Sequence, residues 1–353
     1  SKEIGAEIRL IDGRLTADVT YYDKYTRDQI VESQLSYLSN YQRVIINSGK
    51  ISNKGWEVSV SGVPVKLRKF EWKTIFNWSK NNSMVESLPE GIDKIQIGSG
   101  VYDVKSYAEV GKPYGAMYAK TFKRDAEGYI LCQLDGSPKE GQDYQYLGCV
   151  QADWRGGWNN MFRLGNFSFS VMIDFQKGGS FFSQTSIQSS VDGQSVKSLE
   201  GRDADFFSRK ILGETDEERY GFMRPQYANT PTANGQVYPD WGRPKGVVLP
   251  NCRYDEDVEG LAGQPVLGYC TPERYWMHYT SRDISRFIYD ASYIKLREIT
   301  VSYDFPKKWL RKTPFQDFRV AAVGRNIATL FSNTPHGLDP QATSTTGNAQ
   351  GFE

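Results

Sequence analysis

The sequence has 353 residues, with 43 Lys and Arg against 42 Asp and Glu, so its formal net charge is +1. A nucleic-acid-binding protein normally carries a basic excess, and the charge balance therefore argues against that class. Only two histidines, His278 and His336, are present, which leaves little for histidine-based metal or acid–base chemistry. No apolar run approaches the roughly 18 residues that a membrane-spanning helix needs.

Apolar and polar residues alternate along eight segments, which is the pattern of two-faced β-strands. In one of them, Val171 and Ile173 are predicted to face away from Ser170 and Asp174. The chain opens directly in the first segment, with no start methionine and no leader, so we expect a piece of a longer protein. In chain order, the predicted strands are 2–10, 14–32, 52–63, 69–83, 152–164, 167–178, 290–305 and 316–331.

Short and long connections alternate between these strands. Asp12-Gly13 marks the first tight turn, whereas long polar segments occupy 33–50, 84–151 and 179–287. An antiparallel meander with this alternation has all its turns at one end and all its long loops at the other, as outer-membrane barrels do. The sequence therefore predicts an all-β fold, a portion of a large antiparallel transmembrane β-barrel with long extracellular loops.

Three features favour lipid over a sandwich core. Aromatic residues lie near the strand ends, the face opposite to the apolar one carries charge, and the strands reach the 9–11 residues that a tilted spanning strand needs. A soluble carbohydrate-binding β-sandwich and a passive porin remain alternatives, because their strands show the same alternation. The charged residues predicted to face the lumen are Glu57, Lys73, Asp174, Glu298 and Asp304.

Motifs of enzymes and cofactor sites are missing from the sequence. It contains no G-x-S-x-G, H-E-x-x-H or phosphate-binding G-x-x-x-x-G-K-[ST], so we predict neither an enzymatic activity nor a cofactor. Asp255, Asp257 and Glu259 resemble the opening of a calcium loop, but Val266 stands where a bidentate Glu is needed. These three acids are therefore weak metal candidates, and a solvated acidic loop is the preferred interpretation.

The long loops also carry the cysteines and a group of aromatic residues. The cysteines suit disulfides in an oxidising compartment, and we predict the local pairs Cys132–Cys149 and Cys252–Cys270, with four reduced thiols as the alternative. Loop aromatics can contact a substrate or a partner protein, although packing within the loop is an equally good interpretation. The aromatic candidates are Trp241, Tyr269, Tyr275, Trp276 and Tyr279.

Several longer motifs follow one another in a fixed order along the chain. They are Asn53-Lys54-Gly55-Trp56-Glu57-Val58, Ser87-Leu88-Pro89-Glu90-Gly91, Glu109-Val110-Gly111-Lys112-Pro113-Tyr114-Gly115, Asp153-Trp154-Arg155-Gly156-Gly157, Gln176-Lys177-Gly178-Gly179, the run from Tyr289 to Glu298, Val323-Gly324-Arg325-Asn326 and Gly337-Leu338-Asp339-Pro340. In these motifs the chain resembles the C-terminal third of SusC/RagA-like TonB-dependent outer-membrane transporters.

This resemblance implies a barrel of about 22 strands with a plugged lumen in the bacterial outer membrane, in contact with its lipid. It implies import of a glycan or a peptide, captured with a SusD-like surface lipoprotein. TonB would supply the energy through an N-terminal part outside this chain. The plug and the closing strand are likewise expected to lie outside these residues.

Overall fold

Eight long strands form one antiparallel sheet in a computed structural model of the protein, which describes residues 1–34, 43–133, 137–199, 247–248, 252–264, 269–270, 276, 280–335 and 337–341. Strands are numbered in chain order. In spatial order the sheet contains β1 (Lys2–Leu10), β2 (Leu15–Gln34), β3 (Arg43–Lys66), β4 (Phe70–Ser87), β10 (Trp154–Leu164), β11 (Phe167–Lys177), β17 (Tyr293–Asp304) and β18 (Arg319–Ser332). The predicted all-β fold is confirmed.

The register of the sheet separates an apolar face from a polar one. Val19 pairs with Val58, which pairs with Trp78, while the neighbouring residues Asp18 and Ser59 pair on the opposite face. Because side chains alternate along a strand, each such row repeats across the sheet. The apolar face is open: the exposed fraction of Ile8 is 53% and that of Val301 is 46%. Apolar side chains that are exposed along one face of a sheet are expected where that face contacts lipid.

The connections between the eight strands are short at one end of the sheet and long at the other. β1 and β2 are joined by a turn in which Asp12 and Gly13 have positive φ angles of 50° and 77°. The connection between β17 and β18 contains a one-turn helix, α2 (Lys307–Leu310). No helix among the described residues is long and apolar enough to cross a membrane.

One predicted loop is shorter than the sequence pattern indicated. We predicted a connection at 33–50, but β2 and β3 pair up to Gln34 and Arg43. The run Val44-Ile45-Ile46 explains the difference, because β-branched residues favour strands even without clear alternation. Residues 35–42 lie outside the described part of the chain.

The two other long loops contain their own small elements, which are listed here by bounds. Within 88–153 are β5 (Lys94–Ser99), β6 (Lys105–Glu109), β7 (Ala116–Ala119), β8 (Ile130–Cys132), β9 (Gln145–Cys149) and a 3₁₀ turn (Val101–Asp103). Within 178–292 are β12 (Ser180–Phe182), α1 (Gln184–Val191), β13 (Val247–Val248), β14 (Cys252–Tyr254), β15 (Tyr269–Cys270), β16 (Ile288–Asp290) and 3₁₀ turns at Val196–Leu199, Thr280–Arg282 and Ile284–Phe287. We call these segments the 88–153 loop and the 178–292 loop.

Candidate functional site

The polar face of the sheet carries all five charged residues predicted to face the lumen. Strand pairing aligns them with other polar residues of the same face, as in the row that joins Asp18, Ser59, Asn77 and Asp174 through Gly157. A shallow cavity of about 510 Å³ opens on this face. Ion pairs hold three of the five residues. Glu298 accepts a hydrogen bond from Arg325 at 3.1 Å, Asp304 accepts one from Arg319 at 2.5 Å, and Asp174 pairs with Arg297. Glu57 lines the cavity, and Lys73 lies on β4 opposite Met161.

A β-bulge on β17 places an arginine on this polar face near the loop end. Met172 pairs with Glu298 and Ile173 with Leu296, so Arg297 is the extra residue. Its Nε donates to Asp174 Oδ2 at 3.1 Å, and its Nη1 donates to Asn326 at 2.9 Å. Bulges often redirect a side chain next to a functional site. Arg297 therefore holds the Asp174 carboxylate in place. The alternation of residue types along β17 does not predict this contact, because the bulge interrupts the alternation.

The segment 337–341 extends this network across the loop end of the sheet. Lys295, which is 6% exposed, forms an ion pair with Asp339 and donates to Gln341 at 3.0 Å. Gln341 also donates to the Tyr293 hydroxyl at 2.7 Å. Burial acts to raise the pKa of Asp339, but the hydrogen bonds from Lys295 and from a backbone N–H outweigh it, so the pKa is lowered. The Asp339 carboxylate is therefore ionised at neutral pH.

The 88–153 loop is docked directly onto the sheet. The N–H of Val85 donates to the Lys112 carbonyl at 3.0 Å, and the N–H of Gly111 donates to the Val85 carbonyl at 2.9 Å. Ile51 and Val85 of the sheet pack with Ala108 of the loop. These contacts hold the loop at the long-loop end of the sheet.

The two long loops share an apolar core that we call the interloop cluster. Three residues come from the 88–153 loop and four from the 178–292 loop, and all are buried. They are Phe122, Ile130 and Cys132 in the first loop and Cys252, Tyr254, Val258 and Trp276 in the second. β8 and β14 pair in parallel beside this cluster. Because burial of such side chains is worth roughly 1.5–3 kcal/mol each, the cluster ties the loops into one assembly.

A buried carboxylate reinforces the joint between the loops. The side chain of Asp255 is 4% exposed and accepts hydrogen bonds at 2.8 Å from both Lys123 and Lys139 of the other loop. Lys139 also contacts Asp257, whose side chain is 69% exposed. Burial acts to raise the pKa of Asp255, but the hydrogen bonds from the two lysines outweigh it and lower the pKa to about 2. A cleft of about 810 Å³ opens beside these groups, lined also by Arg124.

Two of the three weak metal candidates form ion pairs with lysines in this arrangement. Asp255 and Asp257 bind lysine ammonium groups, which leaves their oxygens directed at protein donors. No group of three or more side chains suited to a metal ion occurs in the described part of the chain. Glu259 follows two residues after Asp257, and none of its contacts with described residues joins it to the other two acids.

The predicted disulfide between Cys132 and Cys149 is wrong for this structure, in which Cys132, Cys149 and Cys252 are thiols. Cys132 lies in β8 within the interloop cluster, whereas Cys149 lies in β9 near the sheet and contacts the Tyr114 carbonyl at 3.6 Å. The Cys132 side chain instead hydrogen-bonds Cys252, which lowers the pKa of Cys252. Because Cys252 is a thiol, the predicted pair Cys252–Cys270 is not formed in this structure either.

Of the five aromatic candidates, one packs inside the loops, and the side chains of the other four lie outside the described atoms. Trp276 is 7% exposed and belongs to the interloop cluster, so it serves packing within the loops, the alternative interpretation. Tyr269 lies in β15, with its side chain outside the described atoms. Trp241, Tyr275 and Tyr279 lie outside the described residues.

A tyrosine group in the 88–153 loop was not predicted. The rings of Tyr107 and Tyr118 lie 5.3 Å apart, and Tyr118 lies 5.6 Å from Tyr146. The ammonium of Lys94 sits 4.2 Å from the centroid of Tyr107. Tyr146 is 41% exposed, so the group reaches the surface of the loop assembly. Its residues come from different strands, which is why spacing along the sequence gave no signal.

Comparison with known proteins finds sequence relatives among TonB-dependent receptors. No family model matches the chain. TonB-dependent receptor P3 of Formosa agariphila is 23% identical over 370 residues, which cover 99% of this chain and 31% of that protein. TonB-dependent receptor P39 of the same organism is 29% identical over 227 residues, which cover 50% of this chain and 22% of that protein.

Solved structures agree with the sequence relatives. The RagAB peptide transporter matches 99% of this chain and 33% of its own chain, with a TM-score of 0.61 and 14% identity. The predicted resemblance to SusC/RagA-like TonB-dependent transporters is confirmed. The RagAB peptide importer in its open-open state also matches, with a TM-score of 0.56 and 15% identity. At these identities the solved structures show the fold, a section of a RagA-like barrel with long loops.

The chain spans about a third of the length of these relatives. The eight strands and the loop assembly therefore correspond to one section of a SusC/RagA-like barrel. The polar face with its Asp174 network and the loop assembly both belong to the section that the match covers; that the polar face is turned to the barrel lumen stays a prediction.

Proposed function

We propose that the protein containing this chain imports an oligomeric nutrient, an oligosaccharide or an oligopeptide, across the bacterial outer membrane. TonB supplies the energy through a part of the protein outside this chain, and a SusD-like surface lipoprotein helps to capture the substrate. The observation that carries the proposal is the match of 99% of the chain to a barrel section of the RagAB peptide transporter. The matches to TonB-dependent receptors support the same function.

The loop assembly favours assisted uptake over a passive porin. A passive pore needs a constriction, but it does not need two long loops that share a core and buried ion pairs. Here Asp255 is held by lysines of the other loop, and the interloop cluster excludes water. An ordered external surface of this kind is suited to contact a partner and a captured substrate. The eight long strands form one sheet whose fold matches a barrel section, which argues equally against a soluble β-sandwich of two packed sheets.

Replacement of the 178–292 loop tests this proposal in the full-length protein. Residues 183–281 are exchanged for a short Gly/Ser turn, which leaves all eight sheet strands in place. We expect the barrel to insert at normal levels, the lipoprotein to be lost from affinity purification, and growth on the cognate nutrient to stop. A strain carrying Asp257→Asn, which alters only an exposed ion pair, is the matched control and should grow normally.

A strain that lacks the gene for the full-length protein identifies the substrate class when its growth is measured on single nutrients. Loss of growth on one polysaccharide with normal growth on peptides assigns a glycan, and the reverse assigns a peptide. Normal growth and full lipoprotein recovery in the loop-replacement strain would contradict the proposed role of the loops. Barrel levels measured by heat-modifiable mobility in gels separate this outcome from a failure to fold.

A further inference from the structure

The connection between β17 and β18 is a basic segment at the short-turn end of the sheet. We call residues 305–318 the interfacial turn. It contains four basic residues and a single acidic one, Asp317, although the chain as a whole has a formal net charge of only +1. The basic residues are Lys307, Lys308, Arg311 and Lys312. Positive charge is therefore concentrated in this turn.

The interfacial turn is ordered by its own hydrogen bonds. The N–H of Trp309 donates to the Pro306 carbonyl at 2.9 Å, and the N–H of Thr313 donates to the Leu310 carbonyl at 2.9 Å. Leu310 is 8% exposed and anchors the short helix α2 against the protein. The basic side chains thus project from a fixed segment, which reduces the entropy lost when they bind a ligand.

A row of aromatic rings connects this turn to the apolar face of the sheet. Phe167 and Tyr303 lie 4.6 Å apart on that face, and Tyr303 lies 5.1 Å from Phe305. Phe305 in turn lies 6.1 Å from Trp309, which is 58% exposed. Trp is enriched at the level where hydrocarbon gives way to lipid headgroups. The turn therefore lies where the apolar face ends.

The charges of the turn are largely unneutralised by the protein. Lys307 lies 3.8 Å from Asp317, but both side chains are more than 80% exposed, so this pair is weak. Lys308, Arg311 and Lys312 make no ion pair with any residue that the structure describes. Ammonium and guanidinium groups at a headgroup level attract phosphate, with about 1 kcal/mol per residue near an anionic surface.

We propose that the interfacial turn binds the headgroups of anionic phospholipids in the membrane leaflet at the short-turn end. Lys308, Arg311 and Lys312 contact the phosphates, while Trp309 lies at the boundary between the headgroups and the acyl chains. The site rests on the proposed placement of the chain in the outer membrane. It adds a lipid preference that the import function does not require.

The test uses the full-length protein in mixed detergent micelles that contain equal amounts of phosphatidylglycerol and phosphatidylcholine. Native mass spectrometry counts the phospholipids that stay bound. We expect the wild type to retain phosphatidylglycerol preferentially, and Lys308→Gln/Lys312→Gln to reduce that preference on the order of tenfold. Lys308→Arg/Lys312→Arg, which keeps the charge, should restore it, and added salt should weaken it.

A matched control removes the same number of charges at the opposite end of the sheet. Lys112→Gln/Lys177→Gln should leave the preference unchanged. Equal retention of both lipids by the wild type, or an equal loss in both double variants, would overturn the site. Normal nutrient uptake by Lys308→Gln/Lys312→Gln would leave the import proposal standing, and normal heat-modifiable mobility shows that each barrel is folded.

Discussion

Replacement of Asp255 by Asn tests whether a buried ion network holds the two long loops together. The substitution keeps the size of the side chain and removes its negative charge. Lys123 and Lys139 then face a neutral amide, and the interloop joint loses its charge-assisted hydrogen bonds. We therefore expect the loop assembly to open more often while the barrel strands stay folded.

The magnitude follows from the pKa of the carboxyl group. It falls from 3.8 to about 2 in the folded protein, and each pKa unit corresponds to about 1.4 kcal/mol. The shift corresponds to about 2.5 kcal/mol at neutral pH. Solvent screening at the half-exposed Lys123 reduces this to about 2 kcal/mol. Asp257→Asn, at a side chain that is 69% exposed, should cost less than about 1 kcal/mol.

Hydrogen exchange in the full-length protein measures this difference. Opening of the joint by about 2 kcal/mol should speed exchange in 121–132 and 252–264 about thirtyfold in Asp255→Asn, and only a few-fold in Asp257→Asn. The reasoning is refuted if both variants exchange alike or if exchange in the sheet strands rises equally. In the second case the substitution would have weakened the whole fold.

Acidification provides a second measurement of the same network. The Asp255 pKa is lower in the folded than in the unfolded state, so its stabilisation is complete above about pH 3.8 and disappears as the pH falls to about 2. The wild-type loops should therefore open over that interval. Asp255→Asn, which has no carboxylate to protonate, should lack this part of the pH dependence.

Three further predictions concern the lipid face, the loop core and the cysteines. Val171→Arg should cost about 2–4 kcal/mol in a vesicle-folding titration if it lies near the bilayer midplane, whereas Ser170→Arg on the polar face should cost much less; equal costs would contradict the assignment of faces. Trp276→Ala should destabilise the loop assembly by about 3–5 kcal/mol, and unchanged exchange in 252–264 would show that the ring is not a core residue. Peptide mapping without reductant should show Cys132 and Cys149 in separate peptides, and a linked pair would contradict the structure.

Strand positions were predictable because the side-chain period of a strand is visible in one sequence. The alternation around Val171 and Asp174 fixes the two faces without any knowledge of the partner strands. The structure also explains the glycine at Gly55 of the Asn53–Val58 motif. A Cβ atom there would lie 2.4 Å from the Lys80 carbonyl oxygen and from the Tyr22 hydroxyl, so only glycine fits.

The loop assembly was not predictable, since its contacts join residues that are far apart in the chain. Lys123 and Asp255 are separated by 132 positions. No periodicity links them, and local spacing led instead to the wrong pair Cys132–Cys149. A disulfide between nearby cysteines is a reasonable prior for a polar loop, but the parallel pairing of β8 with β14 brings Cys132 to Cys252.

The contacts between the 88–153 loop and the 178–292 loop restrict how the two loops can move. Movement of the 178–292 loop alone would expose the interloop cluster and separate Asp255 from its lysines. Movement of both loops together keeps those contacts and requires changes only where the loops join the sheet. Gly178 and Gly179, with φ angles of 73° and 83°, lie at one such junction, and a Cβ atom on Gly178 would meet the Asp153 carboxylate at 2.5 Å. The contacts between the loops therefore favour joint over separate movement of their described parts.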